Sequence, residues 1–320
     1  MSAPSAERET PAWAALFPAL ALAVWLAQQL RTWFVRDFTH DDFYFAYLSW
    51  LRAVRARPGV DVDALLYTPL VEIFGPVFRL RPESFLGLYA GRALILVVAL
   101  ALLSLVYVLS RRLGADPPWA LGAVCIAAWQ GDFLLRIGDV RTDPIATLFL
   151  LLALGLLVAP DEARLLPAGL CFGTAVYFNI KLAVAVPALG LAVALVSRRA
   201  VLLGLLRFGA GGALATLVWD GLRSLSDGWG PIAGGLRALL AAPPTGSVPV
   251  VTDFLRRAVA AAPGAGVLLV LGAAGTLAAP FLTPGREGFA GAARDPRFVY
   301  GSAAIVFVAV FLRANPYLFP

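Results

Sequence analysis

The chain has 320 residues, of which 60% are hydrophobic and 14% are charged, whereas soluble domains average roughly 45–50% hydrophobic and 25% charged residues. Together with a mean hydropathy of +0.80, this composition excludes an ordinary water-soluble globule and a disordered chain. The formal net charge is +6, and the two cysteines, Cys125 and Cys171, are too few for a disulfide framework or a thiolate metal site. The sequence predicts an all-α, polytopic integral membrane protein.

Apolar runs of about 20 residues, the length that crosses a bilayer, recur along the chain. We predict about nine transmembrane helices, near residues 12–30, 89–110, 118–135, 144–160, 165–180, 182–197, 201–219, 264–282 and 298–313. The fifth and sixth come from one apolar stretch, which we interpret as two spans that meet in a tight turn around Lys181. The first span follows Glu7-Arg8-Glu9 rather than a basic segment, so we expect an uncleaved anchor and not a signal peptide.

The distribution of arginine predicts the orientation, because an excess of basic residues in short loops marks the cytoplasmic side. If the N-terminal segment 1–11 is cytoplasmic, the predicted spans place eight arginines of short loops on the inner side: Arg111, Arg112, Arg164, Arg198, Arg199, Arg286, Arg294 and Arg297. We therefore expect one domain over 1–320 in the cell (inner) membrane, with long outer loops at 31–88 and 220–263.

In the first outer loop, Phe43, Tyr47, Trp50 and Val54 recur with helical spacing, and three arginines cluster beside them in 52–57. This pattern predicts an amphipathic juxtamembrane helix. Two placements fit: the apolar stripe lies on the bilayer surface, or it packs on the protein's own outer ends.

A short polar segment, His40-Asp41-Asp42, stands at the start of this helix. Thr39 and Asp42 have the spacing of a capping box, which gives Asp42 a structural interpretation. Asp41 has no such local role, and a carboxylate beside a membrane cavity can accept a proton from an attacking hydroxyl; the alternative is a solvated surface acid. His40, the single histidine, could join Asp41 as a metal ligand, although the two residues lack a recognisable metal-binding spacing.

Several short motifs follow one another in a fixed order. They are Asp41-Asp42, Tyr67-Thr68-Pro69, Gly91-Arg92, Arg111-Arg112-Leu113-Gly114, Arg141-Thr142-Asp143-Pro144, and the segment from Gly173 to Lys181 that leads into Pro187. In this order, over roughly residues 12–200, the chain resembles the GT-C superfamily of polyprenyl-phosphate-sugar-dependent glycosyltransferases. That group contains the protein O-mannosyltransferases and the lipid A aminoarabinose transferases. The resemblance implies a GT-C-like fold, a polyprenyl-phosphate-linked sugar donor and a hydroxyl acceptor on a glycan, lipid or protein.

Arg141 and Asp143 lie in a short connection between two predicted spans. Asp143 followed by Pro144 fits a helix N-cap with proline at the first helical position. In the functional interpretation, which the resemblance favours, Arg141 binds a phosphate through paired hydrogen bonds, and Asp143 orients Arg141 or the acceptor. The two interpretations are compatible.

Lys181, the single lysine, interrupts an apolar stretch, and an ionisable group at such depth suggests a function because its burial is costly. The alternative is that its ammonium group extends to the outer headgroups. If Lys181 faces the same cavity as Arg141, the two cations would stabilise a departing phosphate.

The sequence thus predicts a membrane glycosyltransferase that acts on the outer face and inverts the sugar's configuration. Asp41 is the expected general base, Arg141 and Lys181 bind the phosphate, and Asp42 and Asp143 support them. Membrane lipid is an expected partner and nucleic acid is not; no cofactor is required, and a divalent metal is optional. Two alternatives are a transporter or lipid flippase, whose path intramembrane charges would mark, and a non-catalytic GT-C-like subunit, because family members usually have a longer C-terminal part.

Overall fold

A computed structural model describes residues 12–53, 69–80, 86–130, 137–158, 162–197 and 200–227, together with 295, 298, 301 and 302. The elements within these residues are helical, as the sequence predicts. The α-helices are α1 (Leu16–Val35), α2 (His40–Ala53), α3 (Pro69–Leu80), α4 (Leu86–Arg112), α5 (Pro117–Ala128), α6 (Asp143–Leu157), α7 (Leu165–Phe178), α8 (Val186–Ser197) and α9 (Val201–Asp227). Short 3-10 turns occupy Ala12–Ala15, Glu162–Arg164 and Ile180–Ala185.

Two of the described helices are long and apolar enough to cross a membrane by length and composition: α4, and Val201–Trp219 within α9. The apolar helices α5 and α8 have 12 residues each, or about 18 Å at 1.5 Å per residue, which is shorter than the roughly 30 Å hydrocarbon core of a bilayer. The predicted count of nine spans is therefore not confirmed. The N-terminal segment 1–11, the spans near 264–282 and 298–313, and most of the outer loop 220–263 fall outside the described residues or reach them at isolated positions.

The chain divides into two compact units. The first consists of residues 1–54 and 73–148, and the second of 55–72 and 149–320. The expectation of a single domain over 1–320 stays a prediction.

In the first unit, α4 packs against α5 and α2, and α5 packs against α1. The buried residues of α4 follow the helical repeat, with Leu88, Ile95, Ala99 and Leu102 on one face. α4 stops at a Schellman motif: the Ala115 N–H donates to the carbonyl of Ser110 at 3.0 Å. Gly114 makes this ending favourable, because its φ of +92° lies in the left-handed region that glycine adopts without strain.

In the second unit, α9 lies along α7 with the two backbones in direct contact. A Cβ added at Gly169 would meet the carbonyl oxygen of Phe208, and one added at Gly211 would meet that of Leu166. Small residues that permit such close approach are typical of helix packing in membranes. Larger side chains from α6, α7 and α8, including Leu157, form the adjoining buried core.

The apolar stretch around Lys181 is interrupted, as the sequence predicts. α7 ends at Phe178 because Asn179 is extended, with φ −146° and ψ 101°, and the 3-10 turn Ile180–Ala185 precedes α8. Lys181 lies in that turn, but its side chain is outside the described part of the chain. That the two flanking helices are membrane spans stays a prediction.

Candidate functional site

Three of the predicted site residues meet in the first unit. The Nε of Arg141 lies 3.1 Å from Oδ2 of Asp41 and 3.1 Å from Oδ2 of Asp143. The three side chains are partly accessible, with 25% of Arg141, 40% of Asp41 and 48% of Asp143 exposed. Residues 100 positions apart along the sequence thus form one accessible cluster of two carboxylates and one guanidinium, which we name the acid–arginine cluster.

Local helix geometry explains how Asp143 reaches Arg141. The carbonyl of Thr142 accepts the first helical hydrogen bond of α6, from the Ala146 N–H at 2.9 Å. Thr142 is therefore the N-cap residue, and Asp143 is the first helical residue rather than the N-cap that the sequence suggested. The carboxylate of Asp143 lies at the positive end of the α6 dipole and contacts Arg141 from there.

Asp42 adjoins Asp41 in sequence but is completely buried, with 0% of its surface exposed. Its Oδ2 accepts hydrogen bonds from the Thr39 N–H at 2.8 Å and from Thr39 Oγ1 at 3.2 Å. The Asp42 N–H in turn donates to Thr39 Oγ1 at 3.3 Å. These reciprocal bonds confirm the predicted capping box at the start of α2.

Asp42 also joins elements that are far apart in the sequence. Its Oδ2 accepts from Nη2 of Arg92 on α4 at 2.9 Å, and its Oδ1 accepts from the Val140 N–H at 2.6 Å. We call Arg92, Asp42 and the Val140 N–H the buried bridge. Val140 is the residue next to Arg141, so the bridge ends one residue from the accessible cluster.

Arg92 is 2% exposed and binds the end of α1 as well as Asp42. Its Nη1 donates to the carbonyl of Arg36 at 2.9 Å and its Nη2 to that of Asp37 at 2.8 Å. The guanidinium carbon lies 4.2 Å from the centre of the Phe38 ring, a cation–π contact. Arg92 therefore satisfies backbone acceptors after α1, stacks on an aromatic ring and neutralises the buried charge of Asp42.

Gly91 permits the loop before α6 to approach α4. A Cβ built at this position would lie 2.7 Å from Cγ2 of Val140, closer than real Cβ contacts. With glycine there, the valine packs against α4 and its N–H reaches Asp42. Gly91-Arg92 thus provides both the space and the charge for the bridge.

A second ion pair lies close to the buried bridge. Nη1 of Arg36 is 3.2 Å from Oδ1 of Asp139, whose side chain is 7% exposed. Burial raises the pKa of Asp139, and the positive charge of Arg36 opposes this shift. The loop before α6 is therefore held within the first unit at two points, by Asp139 through Arg36 and by the Val140 N–H through Asp42.

The apolar stripe of α2 faces away from the unit. Phe43, Tyr47 and Trp50 are 49%, 57% and 37% exposed, while Asp42 and Ser49 occupy the buried face. This exposure favours the placement at the bilayer surface for these three aromatic residues, and the placement on the protein's own outer ends stays a prediction. Val54 lies outside the described residues.

The structure assigns no metal site to His40. Its exposed ring stacks on Tyr44, with centroids 6.5 Å apart and an interplanar angle of 11°, while Asp41 contacts Arg141. Within the described residues, no three His, Cys, Asp or Glu side chains gather as a metal site requires. Metal binding through His40 and Asp41 stays untested, as does phosphate binding by Lys181.

Sequence reasoning gave Arg92 no role beyond its place in the Gly91-Arg92 motif. A usable signal was present, because a single arginine within an apolar helix such as α4 is costly unless it has a partner. Arg36 and Asp139 carried no comparable signal, since charged residues beside span ends are common.

No protein-family model, curated protein or solved structure matches this chain.

Proposed function

We propose that the protein is a polytopic membrane glycosyltransferase that transfers a sugar from a polyprenyl-phosphate carrier to a hydroxyl acceptor. The acid–arginine cluster is the observation that carries this proposal. A potential base, Asp41, and a potential phosphate ligand, Arg141, lie within 3.1 Å of each other in an accessible position. The proposal includes the GT-C-like architecture of about nine spans that the sequence predicts.

In the proposed reaction, Asp41 accepts the proton of the acceptor hydroxyl while the oxygen attacks the anomeric carbon of the sugar. The bond from that carbon to the phosphate oxygen breaks, and its electron pair leaves with the phosphate. Attack from the side opposite the leaving group inverts the configuration. A positioned base of this kind contributes on the order of 10²–10⁴-fold to a rate.

Arg141 is the proposed ligand of the departing phosphate. Both carboxylate contacts are made at Nε, and a guanidinium carries four further N–H groups that can bind an anion. A cation held near a developing charge stabilises the transition state more in a water-poor site than in bulk water. Asp143 orients Arg141, and Lys181 is proposed as a second phosphate ligand on the strength of the sequence alone.

The position of the bridge along α4 supports a site on the outer face. Arg92 belongs to the second turn of α4, whereas Arg111 and Arg112 occupy its last turn. A basic pair at one end of a spanning helix favours the cytoplasm for that end. The opposite end, with Arg92 and Asp42, would then face outward in a cell membrane protein whose N-terminus is cytoplasmic.

The exposed aromatic face of α2 supports a place at the membrane surface. Tyr and Trp are enriched where the bilayer meets water, and Tyr47 and Trp50 stack on each other with centroids 6.1 Å apart. Since Asp41 lies in the first turn of the same helix, a lipid-linked donor would reach the cluster from the bilayer without leaving the membrane.

A transfer assay tests the proposal. Purified protein in lipid is supplied with labelled polyprenyl-phosphate sugars and a panel of hydroxyl acceptors, and Asp41→Asn is compared with the wild type. The matched control is Asp116→Asn, since Asp116 is an exposed acid whose side chain makes no capping bond at the start of α5. We expect Asp41→Asn to lower transfer by about 10²–10⁴-fold and Asp116→Asn to leave it unchanged.

Equal turnover by the wild type and Asp41→Asn would refute the assignment of the base. Movement of intact donor across the bilayer without sugar transfer would favour the flippase alternative. Donor binding that depends on Arg141, with neither transfer nor transport, would favour a non-catalytic subunit.

A further inference from the structure

We infer that Arg92 and Asp42 are positioning residues that act through the Val140 backbone to hold Arg141 against Asp41. This inference rests on the proposed function, because it explains how the proposed base and the proposed phosphate ligand keep their separation. Arg92 and Asp42 are both buried, so neither side chain is proposed to touch a substrate.

The bridge and the acid–arginine cluster share the same two segments of the chain. Asp41 and Asp42 are consecutive residues of α2, and Val140 and Arg141 are consecutive residues of the loop before α6. Asp42 binds the Val140 N–H at 2.6 Å, so one hydrogen bond fixes the two segments next to the point where Asp41 meets Arg141 at 3.1 Å. A shift of either segment would change both distances together.

Arg92 gives this bond a fixed location. Its guanidinium donates from Nη1 and Nη2 to Arg36, Asp37 and Asp42 at 2.8–2.9 Å. The carboxylate of Asp42 is thus held at one place relative to the rigid helix α4. Lysine could not reproduce this arrangement, because it has a single ammonium in place of a planar group with several donors.

The energetics favour positioning over simple stabilisation. Removing two charges from water costs several kcal/mol per ion, and a buried ion pair is often no more stabilising than apolar residues of the same volume. Arg92 also has a buried Nε with no hydrogen-bond partner among the described residues. Because these desolvation costs offset much of the attraction between Arg92 and Asp42, we infer that the pair serves to fix the geometry of the loop more than to stabilise the fold.

Two variants perturb the bridge by independent routes. Arg92→Lys removes the planar donor group but keeps the charge. Gly91→Ala keeps both charges and pushes Val140 away, because the added Cβ would lie 2.7 Å from its side chain. Gly122→Ala on α5 is the matched control, since a Cβ there meets nothing within 4 Å.

The first measurement is sugar transfer per folded molecule. A displacement of 1 Å costs on the order of 100-fold, and about half of that displacement is enough for Val140 to relieve the 2.7 Å contact. We therefore expect Gly91→Ala to lower transfer by about tenfold and Gly122→Ala to have no effect. If the bridge acts through Arg141, adding Gly91→Ala to Arg141→Ala should cause no further loss. A merely structural role would make the two losses multiply.

The second measurement does not depend on the enzymatic activity. Cysteines replace Asp41 and Arg141 in a background with Cys125→Ala and Cys171→Ala, and a short bifunctional methanethiosulfonate joins them. We expect Gly91→Ala to lower the cross-linking yield several-fold and Gly122→Ala to leave it unchanged.

These outcomes separate the inference from the proposed function. Unchanged cross-linking in folded Gly91→Ala and Arg92→Lys proteins would overturn the inference even if the wild type transfers sugar. Multiplying losses in the double variant would overturn it as well. Reduced cross-linking in Gly91→Ala, together with a wild type that transfers no sugar, would support the bridge and refute the glycosyltransferase proposal.

Discussion

Replacement of Asp42 by alanine tests whether the protein depends on the buried bridge for its thermal stability. The substitution removes the acceptor of the Thr39 N–H, of Arg92 and of the Val140 N–H, now bound at 2.8, 2.9 and 2.6 Å. It also leaves the guanidinium of Arg92, which is 2% exposed, without its counter-ion.

The expected cost follows from burial. Breaking a buried ion pair by removing one partner destabilises a protein by about 3–5 kcal/mol. For a chain of this size, 1 kcal/mol changes the thermal midpoint by roughly 2–4 °C, so Asp42→Ala should lower the midpoint by about 10 °C. Asp41 provides the comparison: its side chain is 40% exposed, and exposed pairs contribute about 0–1 kcal/mol. Asp41→Ala should therefore lower the midpoint by at most about 4 °C.

The assay uses the protein's own thiols. Cys125 and Cys171 are partly buried, so a thiol-reactive fluorophore reports their exposure as the purified protein is heated in detergent. Asp41→Ala and Asp42→Ala are heated under the same conditions. Equal midpoints would refute the reasoning, because they would mean that the buried carboxylate contributes no more than the accessible one.

Three further predictions concern other parts of the structure. Gly169→Ala should lower the thermal midpoint, because its Cβ would meet a backbone carbonyl of the facing helix, whereas Gly209→Ala, with open space around it, should leave the midpoint unchanged or raise it. Burial raises the pKa of Asp139 above its ordinary 3.8, so ionisation of this carboxyl lowers the stability of the protein as the pH rises through the raised pKa. In the same thermal assay, Asp139→Asn should therefore unfold at or above the wild-type midpoint at pH 7. Its midpoint should also fall less than that of the wild type between pH 4 and neutrality. A nitroxide spin label attached to the cysteine of Tyr47→Cys, in lipid nanodiscs, tests whether α2 contacts the bilayer. In relaxation measurements the label should collide with oxygen more often than with a water-soluble nickel chelate. The reverse preference would contradict a bilayer contact for α2.

The features that the sequence predicted well depend on local chemistry. The capping box at Asp42 and the break after Phe178 require only residues within a few positions of each other. The long apolar run of α4, predicted as the span near 89–110, is equally local. The capping box and the helix end depend on nearby backbone hydrogen bonds, and an apolar run is read directly from the composition. None of these features requires knowledge of the tertiary structure.

Two kinds of feature could not be predicted from the sequence. One is a contact with a residue distant in the sequence, and the other is the position at which a helix ends within an apolar run. Arg92 binds carbonyls 55 and 56 positions away, and no local pattern identifies such acceptors. Apolar composition also suggested a span over 118–135, whereas α5 ends at Ala128, just before the polar segment at Gln130. The meeting of Asp41 with Arg141 was anticipated only through the order of motifs in the resemblance, since nothing in their own neighbourhoods links them.

The acidic pair shows how one helix can give two identical side chains different chemistry. Successive residues of an α-helix project about 100° apart, so Asp41 and Asp42 cannot face the same surroundings. The capping bond to Thr39 turns Asp42 into the unit, where Arg92 neutralises it, and the same rotation leaves Asp41 at the accessible edge beside Arg141. Exchanging the two roles would require α2 to rotate by about a quarter turn, which would take the carboxylate of Asp42 out of reach of Arg92 and of the Val140 N–H. The inner carboxylate therefore fixes the orientation in which the outer one is accessible, and a conservative change at the buried Asp42 should lower the activity that we propose for Asp41.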